Sequence, residues 1–140
     1  MKHLLDASSF ILLIKNADIK FAIECLQGSL ILDLTFYEIG NAIWKESTLA
    51  NYLTQKEAEQ LGILAQTILA KINRITNESE DFRKILEIAR TEKLSYYDSS
   101  YIYSAKKTGL SLVTEDKALA TKAKKYVDIC TVAELLPMSP

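Results

Sequence analysis

The stretch "LSLVTEDKAL", residues 110–119, decides the fold class of this chain. Its first four residues form a mainly apolar run typical of a buried strand, and a segment with helical character, residues 117–126, follows almost at once. A buried strand that feeds directly into a helix is the unit from which parallel α/β sheets are built. The sequence places an acid, Asp116, at the junction where this strand ends.

The same alternation of short apolar runs and helical periodicity extends along the whole chain. Strands are predicted at residues 3–5, 29–34, 71–75 (an ambiguous run), 110–113 and 127–130. Helices are predicted at residues 8–27 with a break near 16–18, and at 36–47, 54–70, 79–93, 97–107 and 117–126, with a last turn at 132–136. Strands separated by helices pair in parallel through right-handed crossovers. We therefore expect a single domain, residues 1–140, of the α/β class: a three-layer α/β/α architecture around a mainly parallel sheet of about five strands.

Composition and cysteine usage exclude several classes of protein. The 140 residues are 49% hydrophobic and 25% charged, with four glycines and two prolines, which argues against disorder and collagen-like repeats. Asp6 interrupts the apolar N-terminal segment, which argues against a signal peptide. No run approaches the roughly 18 apolar residues of a membrane span. Cys25 and Cys130 lie far apart and His3 is the single histidine, so no zinc site is predicted. We expect a cytoplasmic protein with free thiols and no membrane contact.

Four acids are predicted to share one edge of the sheet. Asp6 directly follows the first strand, Glu38 lies four residues beyond the second, and Asp116 directly follows the fourth. Asp98 lies in the first turn of the helix that Gly109 ends, and the short loop there makes this helix antiparallel to the next strand. Its N-terminus therefore points to the edge where that strand ends. Functional crevices form outside the carboxyl ends of parallel strands, so four carboxylates are directed to such a crevice.

Helix capping is the alternative explanation for these acids. Acids in first turns accept hydrogen bonds from free N–H groups and complement the helix dipole. Capping boxes are predicted at three Thr-x-x-Glu pairs: Thr35–Glu38, Thr54–Glu57 and Thr131–Glu134. Capping explains each acid singly, but it does not explain four acids at one edge. A non-catalytic α/β binding module whose acids only cap helices stays open as an alternative.

Carboxylates crowded into one pocket need protons or cations. Two like charges about 4 Å apart repel by about 1–4 kcal/mol at effective dielectric constants of 80 to 20. With oxygen ligands only, and no histidine or cysteine nearby, the fitting ion is Mg²⁺, or Mn²⁺ in its place. Such an ion polarises a phosphodiester and lowers the pKa of a coordinated water. The expected reaction is metal-dependent phosphodiester hydrolysis that leaves 5′-phosphate and 3′-hydroxyl ends.

Three blocks of this sequence surround the four acids: "LLDASSFI" (4–11), "LTFYEIGNAIWK" (34–45) and "LSYYDSSYIYSAKKTGLSLVTEDKAL" (94–119). In this order they resemble the PIN-domain nucleases, and most of all the toxin ribonucleases of VapBC toxin–antitoxin systems. The last block is the most specific, because Y-D-x-x-Y is followed about 15 residues later by T-x-D-x-x-L. The resemblance implies a PIN-like fold and an endoribonuclease acting on single-stranded RNA. It implies catalytic, metal-binding acids at Asp6, Glu38, Asp98 and Asp116, with supporting Ser8, Asn41 and Thr114.

The resemblance also implies partners: a homodimer, and a small antitoxin whose segment covers the acidic pocket. RNA contacts are predicted from charge, because residues 101–126 carry six lysines against two acids in a chain of net charge −1. The candidate RNA-contacting lysines are Lys117, Lys122, Lys124 and Lys125. A solvated helix face explains the same charges. Four tyrosines near Asp98 fit either base stacking or the core: Tyr96, Tyr97, Tyr101 and Tyr103.

Two other phosphate-handling classes fit less well. A receiver-type phosphoacceptor has an acidic pair after the first strand and a lysine after the last. Here Asp6-Ala7 follows the first strand and Cys130-Thr131 the last. A phosphatase with an aspartate nucleophile has D-x-D, and "DAS" (6–8) lacks the second acid.

Overall fold

The computed structural model describes residues 3–16 and 18–135 and contains a five-stranded sheet of order β3-β2-β1-β4-β5. The strands are β1 (His3–Leu5), β2 (Leu30–Leu32), β3 (Asn73–Ile75), β4 (Ser111–Val113) and β5 (Ile129–Cys130). All four pairings between neighbouring strands are parallel. The predicted α/β class and its parallel sheet are confirmed, including the ambiguous third strand.

Eight α-helices surround the sheet in the described part of the chain. They are α1 (Ala7–Asn16), α2 (Ile19–Leu26), α3 (Asp33–Trp44), α4 (Gln55–Leu69), α5 (Phe82–Glu92), α6 (Tyr96–Thr108), α7 (Lys117–Ala123) and α8 (Val132–Leu135). A π-helical turn, Lys45–Leu49, continues α3, and a 3₁₀ turn, Ser79–Asp81, precedes α5. The longest helix has 15 residues, and within the described residues none is long and apolar enough to cross a bilayer.

Alternating side chains of the short strands create two cores, one on each face of the sheet. Leu5 of β1 and Val113 of β4 belong to one core, together with residues from α1, α3 and α4. Leu4 and Leu112, their neighbours in sequence, belong to the other core with residues from α6 and α7. Both faces of the sheet are therefore covered by helices, as a three-layer α/β/α fold requires.

Strand order and register place a crevice between β1 and β4. The chain runs outward from β1 through β2 to β3, and then returns to add β4 on the other side of β1. Leu5 pairs with Val113, so these two central strands end at the same level. The N–H of Asp6 donates to the carbonyl of Val113 at 3.2 Å. Such a reversal of strand order is the usual place for a functional crevice in an open parallel sheet.

The predicted boundaries of the second strand and the following helix are wrong. β2 ends at Leu32, not at residue 34, and α3 begins at Asp33. The cause is the Thr35 hydroxyl, which accepts a hydrogen bond from the Leu32 N–H at 3.0 Å and lies inside the first turn. Thr35 is therefore not the N-cap of a box with Glu38, and that predicted capping box is wrong. The box at Thr54–Glu57 is confirmed by hydrogen bonds of 3.0 and 3.1 Å.

The helix predicted at residues 117–126 is also too long. α7 ends at Ala123, and a tight turn closes the segment through a 2.9 Å hydrogen bond from the Tyr126 N–H to the Ala123 carbonyl. The break predicted near residues 16–18 is present as a new helix start, because the Asp18 carboxylate accepts the Phe21 N–H at 2.8 Å. The turn predicted at 132–136 is a short helix as far as Leu135, and residue 136 lies outside the described residues.

Candidate active site

Four acids line one cavity of about 690 Å³ at the crevice between β1 and β4. They come from four different elements: Asp6 from the end of β1, Glu38 from α3, Asp98 from α6 and Asp116 from the start of α7. Ser8 and Asn41 line the same cavity. The structure thus brings together every acid that the sequence directed to this edge.

Asp6 is fixed by hydrogen bonds to both of its carboxylate oxygens. Oδ1 accepts from the Ser8 hydroxyl at 3.0 Å and from the Ser9 N–H at 2.9 Å. Oδ2 accepts from the Thr114 hydroxyl at 2.5 Å. Asp6 is 7% exposed, and the bond from Ser9 makes it the cap of α1. The carboxylate therefore has a fixed orientation and lies largely buried at the base of the cavity.

Thr114 joins Asp6 to Asp116. Its hydroxyl accepts the Asp116 N–H at 3.1 Å, and its own proton goes to Asp6. Asp116 Oδ1 accepts the Leu119 N–H at 3.1 Å and caps α7. Its Oδ2 has no hydrogen-bond partner among the described residues. Capping therefore occupies one oxygen of Asp116 and leaves the other for a different role.

Glu38 is held by a relay of hydroxyl groups instead of a helix end. Tyr101 Oη donates to Glu38 Oε1 at 2.5 Å, and Thr35 Oγ1 lies 2.8 Å from the same phenol oxygen. Because the single proton of Tyr101 goes to Glu38, the Thr35 hydroxyl must donate to Tyr101. The Leu32 N–H donates in turn to Thr35 at 3.0 Å. The orientation of Glu38 is thus set by backbone at the end of β2, through two buried hydroxyls.

The crowding of negative charge is visible in two pKa shifts. Burial raises the pKa of Glu38, and the charges of Asp98 and Asp6 raise it further, while the hydrogen bond from Tyr101 opposes them. Burial also raises the pKa of Asp98, with the charges of Asp116 and Asp6 acting in the same direction. The cavity therefore favours the protonated forms of Glu38 and Asp98 more than water does.

The donor set fits a hard divalent cation. The cavity offers carboxylates, the Asn41 amide and the Ser8 hydroxyl, and among the described residues neither a histidine nor a cysteine lines it. In residues 3–16 and 18–135, no three side chains of His, Cys, Asp or Glu lie close enough together to hold one ion between them. Mg²⁺ is commonly bound by one or two carboxylates and several waters, so it does not require such a triad.

The four candidate lysines lie away from the cavity lining. Lys122 Nζ donates to the Glu92 carbonyl at 2.7 Å, and Lys125 forms a 2.7 Å ion pair with the Glu92 carboxylate. Lys117 and Lys124 are exposed on α7 and just after it. The predicted RNA contacts therefore divide into two residues engaged with α5 and two available to a ligand.

Three of the four tyrosines near Asp98 have structural partners. Tyr101 binds Glu38, Tyr103 donates to Asp81 at 2.5 Å, and the ring of Tyr96 packs 5.3 Å from that of Phe82. Tyr97 differs, since it is 59% exposed and lines the acid cavity. The core interpretation holds for Tyr101, whereas Tyr96 and Tyr103 are half-buried and engaged with neighbouring side chains. Of these four tyrosines, Tyr97 alone lines the cavity in an exposed position.

Two residues that line the cavity, Tyr37 and Lys45, were not predicted from the sequence. Both belong to the second sequence block, "LTFYEIGNAIWK". The signal was the spacing of Tyr37, Asn41 and Lys45 at i, i+4 and i+8, which places all three on one helical face.

Comparison with known proteins agrees with this geometry. The family model described as "PIN domain" matches residues 4–125. Exonuclease VapC9 from Pyrobaculum aerophilum is 33% identical over 132 residues, which cover 94% of this chain and 93% of that protein. Ribonuclease VapC3 from the same organism is 26% identical over 126 residues, with coverage of 87% and 95%.

Solved structures share the fold. The crystal structure of PAE2754 from Pyrobaculum aerophilum superposes with a TM-score of 0.79 at 30% identity, over 96% of this chain and 86% of that one. FitAcB from Neisseria gonorrhoeae superposes with a TM-score of 0.64 at 18% identity, over 95% and 99%, and shows likeness of fold alone. The family model spans most of the chain and the sequence relatives cover nearly all of it, so this protein belongs to the PIN-domain family.

Proposed function

We propose that this protein is a metal-dependent endoribonuclease that hydrolyses single-stranded RNA and acts as the toxin of a toxin–antitoxin pair. The observation that carries the proposal is the convergence of four carboxylates from four elements on one cavity at the β1/β4 crevice. The names of the relatives, exonuclease VapC9 and ribonuclease VapC3, support nuclease chemistry.

Asp6, Glu38, Asp98 and Asp116 would hold Mg²⁺ or Mn²⁺ through one or two carboxylates per ion, with waters completing the coordination and Ser8, Asn41 and Thr114 in support. When bound, the cation polarises the phosphodiester and lowers the pKa of water. Asp6 gives the site a fixed negative floor, because Ser8, Ser9 and Thr114 hold its orientation. Asp116 contributes through Oδ2, since Oδ1 caps α7.

Glu38 has the properties of a proton acceptor. Its Oε1 is held by Tyr101, which leaves Oε2 free to take a proton from water. Attack of water on phosphorus breaks the bond to the 3′-oxygen, which leaves as a hydroxyl after gaining a proton. The products carry 5′-phosphate and 3′-hydroxyl ends.

The decisive experiment compares isosteric variants of the acids with a matched control. Asp98→Asn and Asp116→Asn should abolish cleavage of single-stranded RNA in Mg²⁺, because each removes ligand charge and almost no volume. Glu57→Gln changes a first-turn acid that caps α4 outside the cavity, and it should cleave like wild type. If both Asn variants cleave as fast as wild type, the assignment of the site is wrong.

Substrate topology separates internal from terminal cleavage. One relative is named an exonuclease, so this distinction bears directly on the proposal. A circular single-stranded RNA has no ends, and an endonuclease cuts it while an exonuclease leaves it intact. We expect the circle to be linearised in Mn²⁺. Degradation of linear RNA only would assign terminal cleavage.

A non-catalytic binding module is the second candidate, because Asp6 and Asp116 do cap helices. Glu38 favours the nuclease, since it caps no helix and is held instead by a side chain from α6. Calorimetric titration with Mn²⁺ discriminates between the two. The nuclease binds the ion with a loss of affinity in Asp98→Asn, whereas a capping module shows no binding.

The proposal includes two protein partners: a second copy of the chain, and a small antitoxin that covers the acid cavity. Light scattering after gel filtration measures the first, with a dimer as the expected mass. For the second, co-expression with a candidate antitoxin should give a stable complex in which cleavage is suppressed. The cytoplasm is the proposed location of both.

A further inference from the structure

One face of α3 and of the π-helical turn that continues it presents a row of three exposed residues to the acid cavity. Tyr37, Asn41 and Lys45 are spaced by four residues and all line the cavity. Tyr97 lines it from α6, next to Asp98. The two tyrosines are 73% and 59% exposed. The acids are thus flanked by two aromatic rings from different helices and by a cation.

These two tyrosines differ from three others in the chain. Tyr101, Tyr103 and Tyr126 each donate a hydroxyl proton to a carboxylate. The hydroxyls of Tyr37 and Tyr97 have no such partner among the described residues. Phe36 supports the ring of Tyr37, with the two centroids 5.2 Å apart at an interplanar angle of 80°. Exposed aromatic rings beside a charged cleft are the usual platforms on which unpaired bases stack.

Among the described residues that line the cavity, Lys45 is the only lysine or arginine. No ion pair joins it to an acid in the described part of the chain, although four carboxylates share the cavity. It lies seven residues beyond Glu38, about 10 Å along the helix axis. Because no carboxylate in the described part of the chain pairs with it, Lys45 can contact a backbone phosphate of a strand that passes the acids.

We propose that Tyr37, Tyr97 and Lys45 form a subsite for single-stranded nucleic acid around the acids. The two rings stack on unpaired bases on either side of the cleaved bond, and Lys45 binds an adjacent backbone phosphate. Paired bases do not present free faces to both rings, so the subsite selects single strands over duplexes. This inference rests on the proposed nuclease function and names the residues that hold its substrate.

Binding is measured by fluorescence anisotropy of a labelled 12-nucleotide RNA in Mn²⁺, with cleavage silenced by Asp116→Asn. In this background, Tyr37→Leu and Tyr97→Leu should each weaken binding by about tenfold or more, and Tyr37→Phe should retain it. Lys45→Gln should weaken binding and reduce the slope of log affinity against log salt by about 0.7. Matched controls are Tyr52→Leu and Lys56→Gln, exposed residues outside the cavity lining, which should change neither quantity.

An RNA with abasic positions tests stacking itself. It should bind the silenced protein more weakly than the intact strand, and Tyr37→Leu and Tyr97→Leu should add little further loss. Leu variants that bind the intact RNA like their parent overturn the subsite. If the Leu variants bind like their parent while wild type cleaves RNA, the nuclease function is retained and only the subsite is wrong. If tyrosine-dependent binding persists but wild type does not cleave, the subsite stands and the nuclease proposal fails. A parent that binds no single strand overturns the subsite.

Discussion

Tyr101 donates its hydroxyl proton to Glu38 across 2.5 Å and ties α6 to α3 at the wall of the acid cavity. The phenol is 2% exposed, and its oxygen also contacts the Thr35 hydroxyl at 2.8 Å. One buried hydroxyl thus fixes an acid that no helix end holds. Tyr101, the second tyrosine of the Y-D-x-x-Y motif, therefore positions Glu38 of the second sequence block, 63 residues away in sequence.

Tyr101→Phe should change metal binding through the pKa of Glu38. The hydrogen bond from Tyr101 lowers that pKa, so its loss should raise the pKa further above the usual value. Protons then compete with the cation for Glu38 up to a higher pH. As the pH is lowered, the Mn²⁺ affinity of the variant, measured by calorimetry, should begin to fall at a higher pH than that of wild type. Tyr103→Phe is the control, since its hydroxyl binds Asp81, outside the cavity lining. Superimposable pH profiles of wild type and Tyr101→Phe would contradict the positioning role.

The acids were predictable from the sequence because their positions follow from local signals. Asp6 directly follows β1 and Asp116 lies three residues beyond β4, and parallel strands present their carboxyl ends at one edge. The Tyr101–Glu38 bond has no such signal, because it joins residues far apart in sequence that meet only through packing. The start of α3 was misplaced for a related reason. Thr35 uses its hydroxyl to bind the Leu32 N–H, a side-chain bond that periodicity does not reveal.

The predicted RNA contacts of the lysines rest on a charge pattern that does not reveal tertiary contacts. Charge counting grouped Lys122 and Lys125 with exposed neighbours, but tertiary contacts direct both to Glu92 at the end of α5. A charge pattern along the sequence does not tell which lysines already have a partner. Tyr37 and Lys45 were missed because, in the second sequence block, the resemblance singled out only the acid Glu38 and the amide Asn41.

Thr114→Val should destabilise the fold and loosen Asp6. Valine keeps the volume but removes the proton donor to Asp6 and the acceptor for the Asp116 N–H. Leaving such groups unsatisfied costs about 1–3 kcal/mol of the free energy of unfolding. Urea unfolding at pH 7 measures this loss. Thr114→Ser retains the hydroxyl and should recover most of the stability, whereas equal losses in both variants would point to packing instead.

Salt dependence should separate the four candidate lysines into two pairs. Replacing Lys117 and Lys124 by Gln should flatten the slope of log RNA affinity against log salt by about 0.7 for each phosphate that is no longer neutralised. Replacing Lys122 and Lys125 should instead lower the melting temperature, because the buried Glu92 loses the ion pair of its carboxylate with Lys125 and the hydrogen bond of its carbonyl with Lys122. Anisotropy and thermal melting distinguish these effects. A slope that no substitution changes would make the segment a solvated face.

Asp81 should control the acid stability of the protein. It is buried, and hydrogen bonds from Tyr103, the Glu78 N–H and Lys107 lower the pKa of its carboxyl to about 2. The folded protein therefore binds fewer protons than the unfolded chain, whose aspartates titrate near about 3.9. Its contribution to stability is present above about pH 4 and is lost as the pH falls towards about 2. Urea unfolding of Asp81→Asn should show lower stability at pH 7 and a flatter profile below about pH 4. The exposed variant Asp128→Asn should retain the wild-type slope.

Asp98→Asn should raise the melting temperature of the metal-free protein. The pKa of Asp98 is raised by burial and by neighbouring acids, so the folded state binds more protons than the unfolded chain. This contribution is fully favourable below the unfolded pKa of about 3.9 and is lost as the pH rises through the raised folded value. At pH 7 the ionised carboxylate of Asp98 therefore destabilises the folded state, and the neutral amide of the variant removes this repulsion. Asp6→Asn should act in the opposite direction, because three donors already satisfy its carboxylate and an amide presents a donor to one of them.

Melting curves at pH 7 in EDTA and in millimolar Mn²⁺ test this difference. Wild type should gain stability from Mn²⁺, since the ion binds only the folded state, and Asp98→Asn should gain less. Glu57→Gln is the control for a simple cap: it should melt lower than wild type in EDTA and keep the full gain from Mn²⁺, because Glu57 caps α4 outside the cavity. If Asp98→Asn melts lower than wild type in EDTA and wild type does not respond to the ion, the acids are structural. The cavity then lacks the electrostatic strain on which metal-dependent cleavage is proposed to rest.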